Sequence, residues 1–479
     1  MPAQQEQDDD LLVSANFIRA VRESGYTSLA TALAELVDNS LQAGATTVAI
    51  TIGREGRGLP QIVVEDNGAG MGLAELRACL RFGGSSRFDG RNSFGRFGMG
   101  LPAASLSQTQ RVEVTAWKRG GRERTVTLDV DAIVAGAAPD LSVKNGAKAA
   151  SDSGCRVTWR DCDRIEYQRL AWLERSLRAD LGRMYRRFIP DGMHLTINGQ
   201  PVDAADPMLL AIDVNGYAAE LAYEPLKFEL ATERGETSFV TARFSLLPVA
   251  QWHGLDNLAK RRAGIVGHGG VSVLRAGREI AYGWHLMGGK RKENYDDWWR
   301  CEIEFDPVLD EHFGITINKQ GIRPSRILRE AMEKELESIA RLLNARVRQA
   351  FEDVRFQAAA AASCRIAGAA ESELPPIKRR RTSGPISYRI DSAELPDGQM
   401  LATELKGQQL SITLNTDHPA FAALYQPLQA MSETTSADLR TAVELLLLAH
   451  TRTSYQLGLD GGDMLRTWGE TYGRMLQRS

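Results

Sequence analysis

The stretch from Ser28 to Gly44, SLATALAELVDNSLQAG, constrains this chain more than any other. Its apolar residues recur at helical spacing, with a serine suited to cap the start of a helix and a glycine suited to end it. Glu35 and Asn39 are four residues apart, so both lie on one face of the predicted helix, one turn from each other. An acid and an amide placed in this way suit a metal ion and a water molecule.

A second carboxylate, Asp66, opens the turn DNGAGM, which follows a strand predicted at 61–65. Taken alone, Asp-Asn-Gly is an ordinary turn signal. Read together with 28–44, it predicts a nucleotide site. A glycine-rich region at 82–100 ends in GRFGMG, directly before a helix predicted at 101–106. Free backbone N–H groups and the helix dipole at such a junction favour phosphate.

The order of the predicted elements favours an α+β fold. Strands are predicted at 47–52, 61–65, 111–117, 125–130 and 156–159, with helices at 28–44, 73–82 and 101–106. This order predicts helices layered on a largely antiparallel sheet. It excludes a Rossmann unit, because no glycine loop directly follows the first strand.

The composition is typical of a globular protein, with 43% hydrophobic and 25% charged residues among 479. The net charge of -3 means that any surface for nucleic acid must be local. The five cysteines are scattered, which argues against a disulfide framework and a zinc site. The histidines show no metal-ligand spacing. With a polar, acidic start and no apolar run of membrane length, the expected location is the cytoplasm.

Three motifs together resemble the GHKL ATPase superfamily of gyrase B, Hsp90, histidine kinases and MutL. They are ELVDNS at 35–40, DNGAGM at 66–71 and GRFGMG at 95–100. FGGSSR at 82–87 is most similar to a segment of the MORC-type branch, here a prokaryotic one. The resemblance covers about residues 15–160 and extends more weakly to about 330. It implies a Bergerat-type α/β sandwich, then an S5-like transducer domain, a helical stalk and a small α+β C-terminal domain.

The resemblance also assigns roles at the site. Glu35 would be the general base for the attacking water, Asn39 would bind Mg²⁺ on the ATP phosphates, and Asp66 would accept a hydrogen bond from the adenine amino group. Gly68, Gly70 and Met71 would shape the base pocket, and Gly95–Gly100 would form a lid over the phosphates. The residues implied to contact the nucleotide also include Gly83, Ser85, Ser86, Gly95, Arg96, Phe97, Gly98, Met99, Gly100 and Cys155.

Lys319, in FGITINKQGIRPS, is the candidate for a transducer lysine that reaches the γ-phosphate; the alternative is a solvated lysine in a turn. Two residues depart from the pattern of the superfamily. Gly154-Cys155 stands where relatives carry Gly-Thr, so a weak thiol donor replaces a hydroxyl. Pro102 stands where the lid helix often carries a lysine.

The predicted domain organisation follows from these patterns. Residues 1–27 form an N-terminal arm, either packed on its own chain or reaching a second subunit. The further divisions are 28–165 for the ATPase core, 166–205 for connecting helices and a hairpin, 206–325 for the transducer, 326–366 for a long helix or two helices, 367–387 for a linker and 388–479 for a C-terminal interaction domain.

The function expected from the resemblance is slow ATP hydrolysis, with Mg²⁺, by an ATP-dependent homodimer that acts as a clamp or switch. DNA and other protein subunits are the partners considered, in genome maintenance or defence. Basic stretches at 183–187, 260–262, 290–292 and 378–381 favour DNA. The alternative is an Hsp90-like chaperone. A histidine kinase is disfavoured because no histidine precedes His194, and a type II topoisomerase because no cleavage domain fits in the tail.

Overall fold

The computed structural model describes residues 14–26, 28–54, 58–83, 99–135, 137, 140–149, 152–165, 169–211, 214–232, 235–315, 321–375, 377, 385–425, 427–428, 433–458, 466 and 469. The chain divides into two compact units. The first comprises Met1–Pro248 and Leu255–Leu343, and the second comprises Val249–Gly254 and Asn344–Ser479. The finer domain divisions stay a prediction. Across the described residues, every helix is too short or too polar to span a lipid bilayer.

The N-terminal part of the first unit layers helices on one sheet. Its helices are α1 Ser14–Ser24, α2 Leu29–Gln42, α3 Leu73–Ala78, α4 Gly100–Gln108, α5 Val130–Val134 and α6 Leu170–Met184. Its strands are β1 Thr47–Arg54, β2 Pro60–Asp66, β3 Arg111–Trp117, β4 Arg122–Asp129, β5 Lys144–Lys148, β6 Gly154–Arg160, β7 His194–Ile197 and β8 Gln200–Pro201. The sheet order is β5-β4-β3-β6-β2-β1-β7-β8. Only the β1–β7 pair among these described strands is parallel, so the predicted antiparallel sheet is confirmed.

Helix α2 forms where its spacing predicts and is capped as expected. The Ser28 hydroxyl accepts a hydrogen bond from the Thr31 N–H at 3.2 Å, which satisfies a donor at the helix start. Gly44 follows the end of the helix with φ +73°, a left-handed conformation that favours glycine. The apolar face, including Leu33 and Val37, is fully buried in the core. The cap and the packed face together fix the position of the polar residues on this helix.

Helix α1 packs on its own chain. Ile18 belongs to the same core cluster as α2. Arg22 donates hydrogen bonds to the Thr109 carbonyl at 2.7 Å and to Asp163 at 2.6 Å. Of the two alternatives for the N-terminal segment, the described residues therefore support the packed helix; residues 1–13 lie outside them.

A second sheet follows in the first unit. Its strands are β9 Glu220–Leu221, β10 Leu226–Ala231, β11 Thr237–Leu246, β12 Val271–Arg275, β13 Arg278–Gly283 and β14 Trp299–Phe305, in the order β10-β11-β14-β12-β13 with β9 beside β11. Short helices α8 Asn257–Arg262 and α9 Asp310–Phe313 and 3-10 turns at Asn294–Trp298 and Pro307–Leu309 complete it. Trp298 and Trp299 are buried, as packing aromatics should be.

The second unit has a core of its own. It contains α7 Val249–Trp252, β15 Ser387–Ala393, β16 Leu401–Lys406, β17 Gln409–Asn415, a π-helix at Phe421–Tyr425, α11 Glu433–Leu457 and 3-10 turns at Glu371–Glu373 and Pro396–Gly398. Its sheet has the order β15-β17-β16. Helix α10 runs unbroken over Arg326–Ala370, so the predicted stalk is one helix rather than two.

Candidate functional site

The structure places several of the predicted site residues next to one another. The Ser40 hydroxyl of α2 donates to Asp66 Oδ2 at 2.8 Å and thereby ties the helix to the end of β2. Cys155 on β6 pairs directly with Asp66 in the sheet register. Gly100, the first residue of α4, lies against the Glu35 carboxylate. The predicted residues Ser85, Ser86, Gly95, Arg96, Phe97, Gly98 and Lys319 lie outside the described part of the chain.

Asp66 is a carboxylate held in place by two donors. Its Oδ1 accepts from the Gly68 backbone N–H at 2.9 Å, while its Oδ2 accepts from Ser40. Burial raises the pKa of Asp66, even though these hydrogen bonds act in the opposite direction. Both oxygens retain lone pairs, so the side chain can accept a further hydrogen bond from a ligand amino group.

The glycines beside Asp66 are required by close backbone packing. Gly70 has φ +61°, and a Cβ at this position would overlap the Trp117 carbonyl. A Cβ at Gly154 would overlap the Asp66 carbonyl. Asn67 in the same turn is structural, because its Oδ1 accepts from the Thr46 and Thr47 N–H groups at 2.9 Å each. The turn chemistry therefore sets the distance between β2, β6 and the end of β3.

Other residues predicted to surround the nucleotide occupy the borders of the site. Met71 is partly buried against the core, and Gly83 has φ +74° in the turn that follows α3. Met99 is the residue directly before α4. Burial, together with the nearby Asp66, raises the pKa of Cys155, so its thiol stays protonated and can donate weakly. The structure thus places a donor, not a thiolate, next to Asp66.

Glu35 is buried, with 4% of its surface exposed, next to the start of α4. A Cβ at Gly100 would overlap its carboxylate, so glycine at this position leaves the room that the acid occupies. Burial and the neighbouring Glu35 and Asp38 raise the pKa of Tyr26, whose hydroxyl therefore stays neutral. A carboxylate in such a confined place is suited to orient one small molecule, such as a water.

Asn39 fits a magnesium ion. Between Glu35 and Ser40 it is the one residue of α2 that is not fully buried. Mg²⁺ takes one or two protein oxygens and completes its coordination with waters and substrate phosphates, so a single amide oxygen suffices. Among the described residues, no group of three His, Cys, Asp or Glu side chains is arranged to hold a metal ion by itself.

Sequence reasoning missed four residues at this site. Asp38 is fully buried on α2, where its Oδ1 accepts from the Tyr185 hydroxyl at 2.7 Å and lies 3.3 Å from Arg278 Nε. With Tyr185 and Arg278, Asp38 thus makes three of the missed residues, and Ser40, which donates to Asp66, is the fourth. A signal was present for Asp38 and Ser40, since they flank Asn39 on a helix that is otherwise largely apolar. Tyr185 and Arg278 are distant in sequence and gave none.

Comparison with known proteins places the similarity on this domain. Residues 26–152 match the family described as histidine kinase-, DNA gyrase B- and HSP90-like ATPase. DNA mismatch repair protein MutL of Rickettsia africae (strain ESF-5) is 32% identical over 117 residues, which cover 21% of this chain and 18% of MutL. Protein MICRORCHIDIA 5 of Arabidopsis thaliana is 36% identical over 104 residues, which cover 21% of this chain and 14% of that protein.

The chain therefore spans less than a fifth of the length of these relatives. The matched region contains α2, the Asp66 turn and the start of α4, which are the elements that form the site. Residues 26–152 thus match the ATPase domain of the GHKL superfamily, and the similarity to both MutL and MICRORCHIDIA 5 is consistent with the MORC-type branch.

Proposed function

We propose that this chain is an ATP-hydrolysing conformational switch that closes as a homodimer and acts on DNA. The observation that carries the ATPase part is the link between Ser40 and Asp66, because it joins the Glu35–Asn39 face of α2 to the buried carboxylate of β2. Supporting the DNA part, one relative is named for DNA mismatch repair. A cytoplasmic location, slow turnover and a role in genome maintenance or defence belong to the same proposal.

In this proposal the two ends of ATP meet different parts of the site. Asp66 accepts a hydrogen bond from the adenine amino group, with the Cys155 thiol beside it as a weak donor. Asn39 holds Mg²⁺, which when bound offsets the negative charge of the phosphates. Residues 95–100 cover the phosphates and Lys319 contacts the γ-phosphate; these two assignments follow the resemblance.

Glu35 is the general base in this proposal. It orients a water in line with the γ-phosphorus and accepts a proton from it as the bond to the leaving ADP oxygen breaks. The confined position of its carboxylate against Gly100 limits the directions in which it can point. Phosphoryl transfer depends mainly on positioning and charge neutralisation, so this restriction favours catalysis.

Replacing Glu35 tests the proposed hydrolysis. Glu35→Gln should lower kcat for ATP by a factor of roughly 10² to 10⁴, the usual contribution of a general base, while ATP still binds. Steady-state phosphate release and calorimetric titration with ATP measure the two quantities. Glu330→Ala, an exposed acid on α10 with 62% of its side chain accessible, is the control and should match wild type. Wild-type turnover by Glu35→Gln would refute the assigned base.

For DNA, the structure removes some of the cations that the sequence offered. Arg186 is buried and pairs with Glu279 at 3.0 Å and with Glu302 at 2.5 Å. Lys290 is buried too, with its Nζ 2.7 Å from Asp296. The charges of these side chains are compensated by buried carboxylates. The segments 183–187 and 290–292 therefore offer DNA fewer cations than their sequences contain.

The predicted stretch 378–381 lies outside the described residues. In the described stretches 260–262 and 290–292, four cations are exposed, and we call them the basic surface: Arg261, Arg262, Arg291 and Lys292. Their segments are joined, since Arg300 donates to the Gly264 carbonyl at 2.6 Å and Lys292 donates to the Gly269 carbonyl at 3.2 Å. Clustered lysine and arginine side chains suit the phosphate backbone of DNA. The basic surface is therefore our candidate contact with DNA.

Removing the basic surface tests this assignment. The variant with alanine at all four positions should bind duplex DNA more weakly, and its dependence of log K on log salt should flatten by about 0.9 for each phosphate that the protein no longer neutralises. Fluorescence anisotropy at several salt concentrations measures both effects. A variant with alanine at Arg326 and Lys406, whose side chains are 88% and 78% exposed, is the control. Equal losses of affinity in both variants would indicate nonspecific attraction and refute the assigned surface.

A further inference from the structure

Asp38 lies at a junction between the catalytic helix and the second sheet. Its carboxylate on α2 is fully buried and lies 3.3 Å from the guanidinium Nε of Arg278, the first residue of β13. The Tyr185 hydroxyl, just after α6, is 2.7 Å from Asp38 Oδ1 and 2.7 Å from the Ala34 carbonyl, so it donates between the two. Two segments that are distant in sequence, the start of β13 and the residue after α6, thus meet one turn of α2, next to Glu35.

The far side of β13 is anchored just as firmly. Glu279, the neighbour of Arg278, accepts a hydrogen bond from Ser272 on β12 at 2.5 Å. It also pairs with Arg186, the neighbour of Tyr185, at 3.0 Å. Arg186 further donates to Glu302 on β14 at 2.5 Å. Successive residues of β13 therefore join α2 on one side and the end of α6 and strands β12 and β14 on the other.

We propose that Arg278 is a positioning residue that couples the second sheet to Glu35 by holding Asp38. This inference rests on the proposed ATPase function. A buried charge must keep a compensating partner, so β13 cannot shift away from α2 without either moving Asp38 or separating the pair. Since Glu35 and Asp38 are three residues apart on one helix, a displacement of Asp38 also displaces Glu35.

Asp38 also determines which carboxylate of α2 the Arg278 guanidinium pairs with. Arg278 is 4% exposed, and both buried carboxylates of α2 act electrostatically on it, with Asp38 exerting the stronger effect. Holding the cation at Asp38 keeps the guanidinium from pairing with the Glu35 carboxylate. In Asp38→Asn the guanidinium would turn towards Glu35, the remaining acid, and compete with the water for it. Both partners of the pair are therefore needed for turnover but not for nucleotide contact.

The test compares ATP turnover in four variants of the full chain. Arg278→Met and Asp38→Asn should each lower kcat at least tenfold while changing KM for ATP less than threefold. Arg278→Lys, which keeps the charge, should recover part of the activity. The control is Arg275→Met on β12, which removes a buried arginine that pairs with Asp310 at 2.6 Å and does not belong to the junction; it should keep the wild-type kcat. A similar fall in the control, or an unchanged kcat in Arg278→Met, would overturn the proposal.

Should Arg278→Met fail to fold, the double variant Asp38→Asn/Arg278→Met decides, because it leaves no unpaired buried charge. It should still show the low kcat, and a normal kcat would overturn the proposal. Hydrogen exchange of residues 278–283 supplies a readout without turnover. A bound non-hydrolysable ATP analogue should slow exchange there in wild type and not in the double variant; equal slowing in both would overturn the coupling. An inactive wild type would refute the proposed ATPase function only.

Discussion

At the scale of single residues, Asp66 shows most clearly how the surroundings of a side chain determine its protonation. Burial disfavours its ionised form, while Ser40 and Gly68 donate to the carboxylate and favour that form. The net effect is a raised pKa, so Asp66 takes up a proton at a higher pH than an exposed aspartate does. A protonated carboxyl has lost acceptor capacity, and its interaction with an adenine amino group must weaken accordingly.

ATP affinity should therefore fall as the pH drops towards the raised pKa of Asp66. Asp66→Asn should weaken ATP binding by roughly 10- to 150-fold, the value of a missing hydrogen bond to a charged group, and should remove this part of the pH dependence. Calorimetric titrations of both proteins from neutral to acidic pH measure the effect. Asp140→Asn, at an exposed carboxylate outside the site, should bind like wild type. Identical pH profiles for wild type and Asp66→Asn would contradict the assignment.

Folding responds to the same protonation with the opposite sign. For a carboxyl whose folded-state pKa is raised, the contribution to stability is present at low pH and is lost as the pH rises through the folded pKa. Acidification should thus weaken ATP binding without any loss of stability from Asp66. The two trends distinguish a binding effect from partial unfolding.

The sequence indicated some of these residues and not others for a physical reason. Glu35, Asn39 and Asp66 stand in short patterns whose spacing is local, so a helix and a turn suffice to orient them. Arg278 and Tyr185 reach Asp38 across long separations in the chain, and no local pattern encodes such a meeting. The overlap between a Cβ at Gly100 and Glu35 is equally a product of tertiary packing.

At the scale of elements, periodicity succeeded where one face is buried. Strand β1 alternates between buried and more exposed positions, and it forms where alternation predicted it. Strand β14, WRCEIEF, also alternates apolar and polar residues but was not predicted. Its polar positions Arg300 and Glu302 are buried as well, so the alternation does not mark a solvent-exposed face. Strand β5, KNGAK, is fully exposed and has no apolar residue pattern at all.

The end of helix α6 shows that charged residues in a sequence are not always exposed to solvent. The sequence favoured DNA contact by the basic stretch 183–187 at the end of this helix, because charged side chains are usually solvated. Instead Arg183 and Arg186 pair with Glu279, which is 2% exposed. Glutamates from the second sheet meet these arginines, and neither set of charges reveals its partner in sequence. Buried ion pairs of this kind favour a particular arrangement of elements more than they add stability.

At the scale of the whole molecule, the sequence similarity to known proteins covers only the N-terminal part of this chain. The family match stops at residue 152, while the second sheet and the second unit follow it. The match to an ATPase family could be predicted because the motifs at 35–40, 66–71 and 95–100 are shared by a large superfamily. The role of residues 344–479 could not, since a small α+β fold can serve many functions.

The division into two units has a thermodynamic consequence that calorimetry can examine. The N-terminal core contains Leu33, Val37 and Trp159, whereas Ile412, Tyr425 and Leu448 belong to a different core. Cores that are separate can unfold in separate transitions, and a ligand stabilises only the one that binds it. Nucleotide should therefore act on one transition of the protein.

We expect two endotherms in differential scanning calorimetry, one for each unit. ATP with Mg²⁺ should raise the midpoint temperature of the transition of the first unit and leave that of the second unit unchanged. At a concentration 100 times its Kd, a ligand adds about 2.7 kcal/mol to the stability of the unit that binds it. Glu35→Gln is the protein to use, because it should bind ATP without consuming it. Asp66→Asn is the control: it should bind ATP weakly, so ATP should raise the midpoint temperature of its first unit by less. A single endotherm that moves as a whole would contradict the independence of the two cores, and two endotherms that both ignore ATP would contradict nucleotide binding.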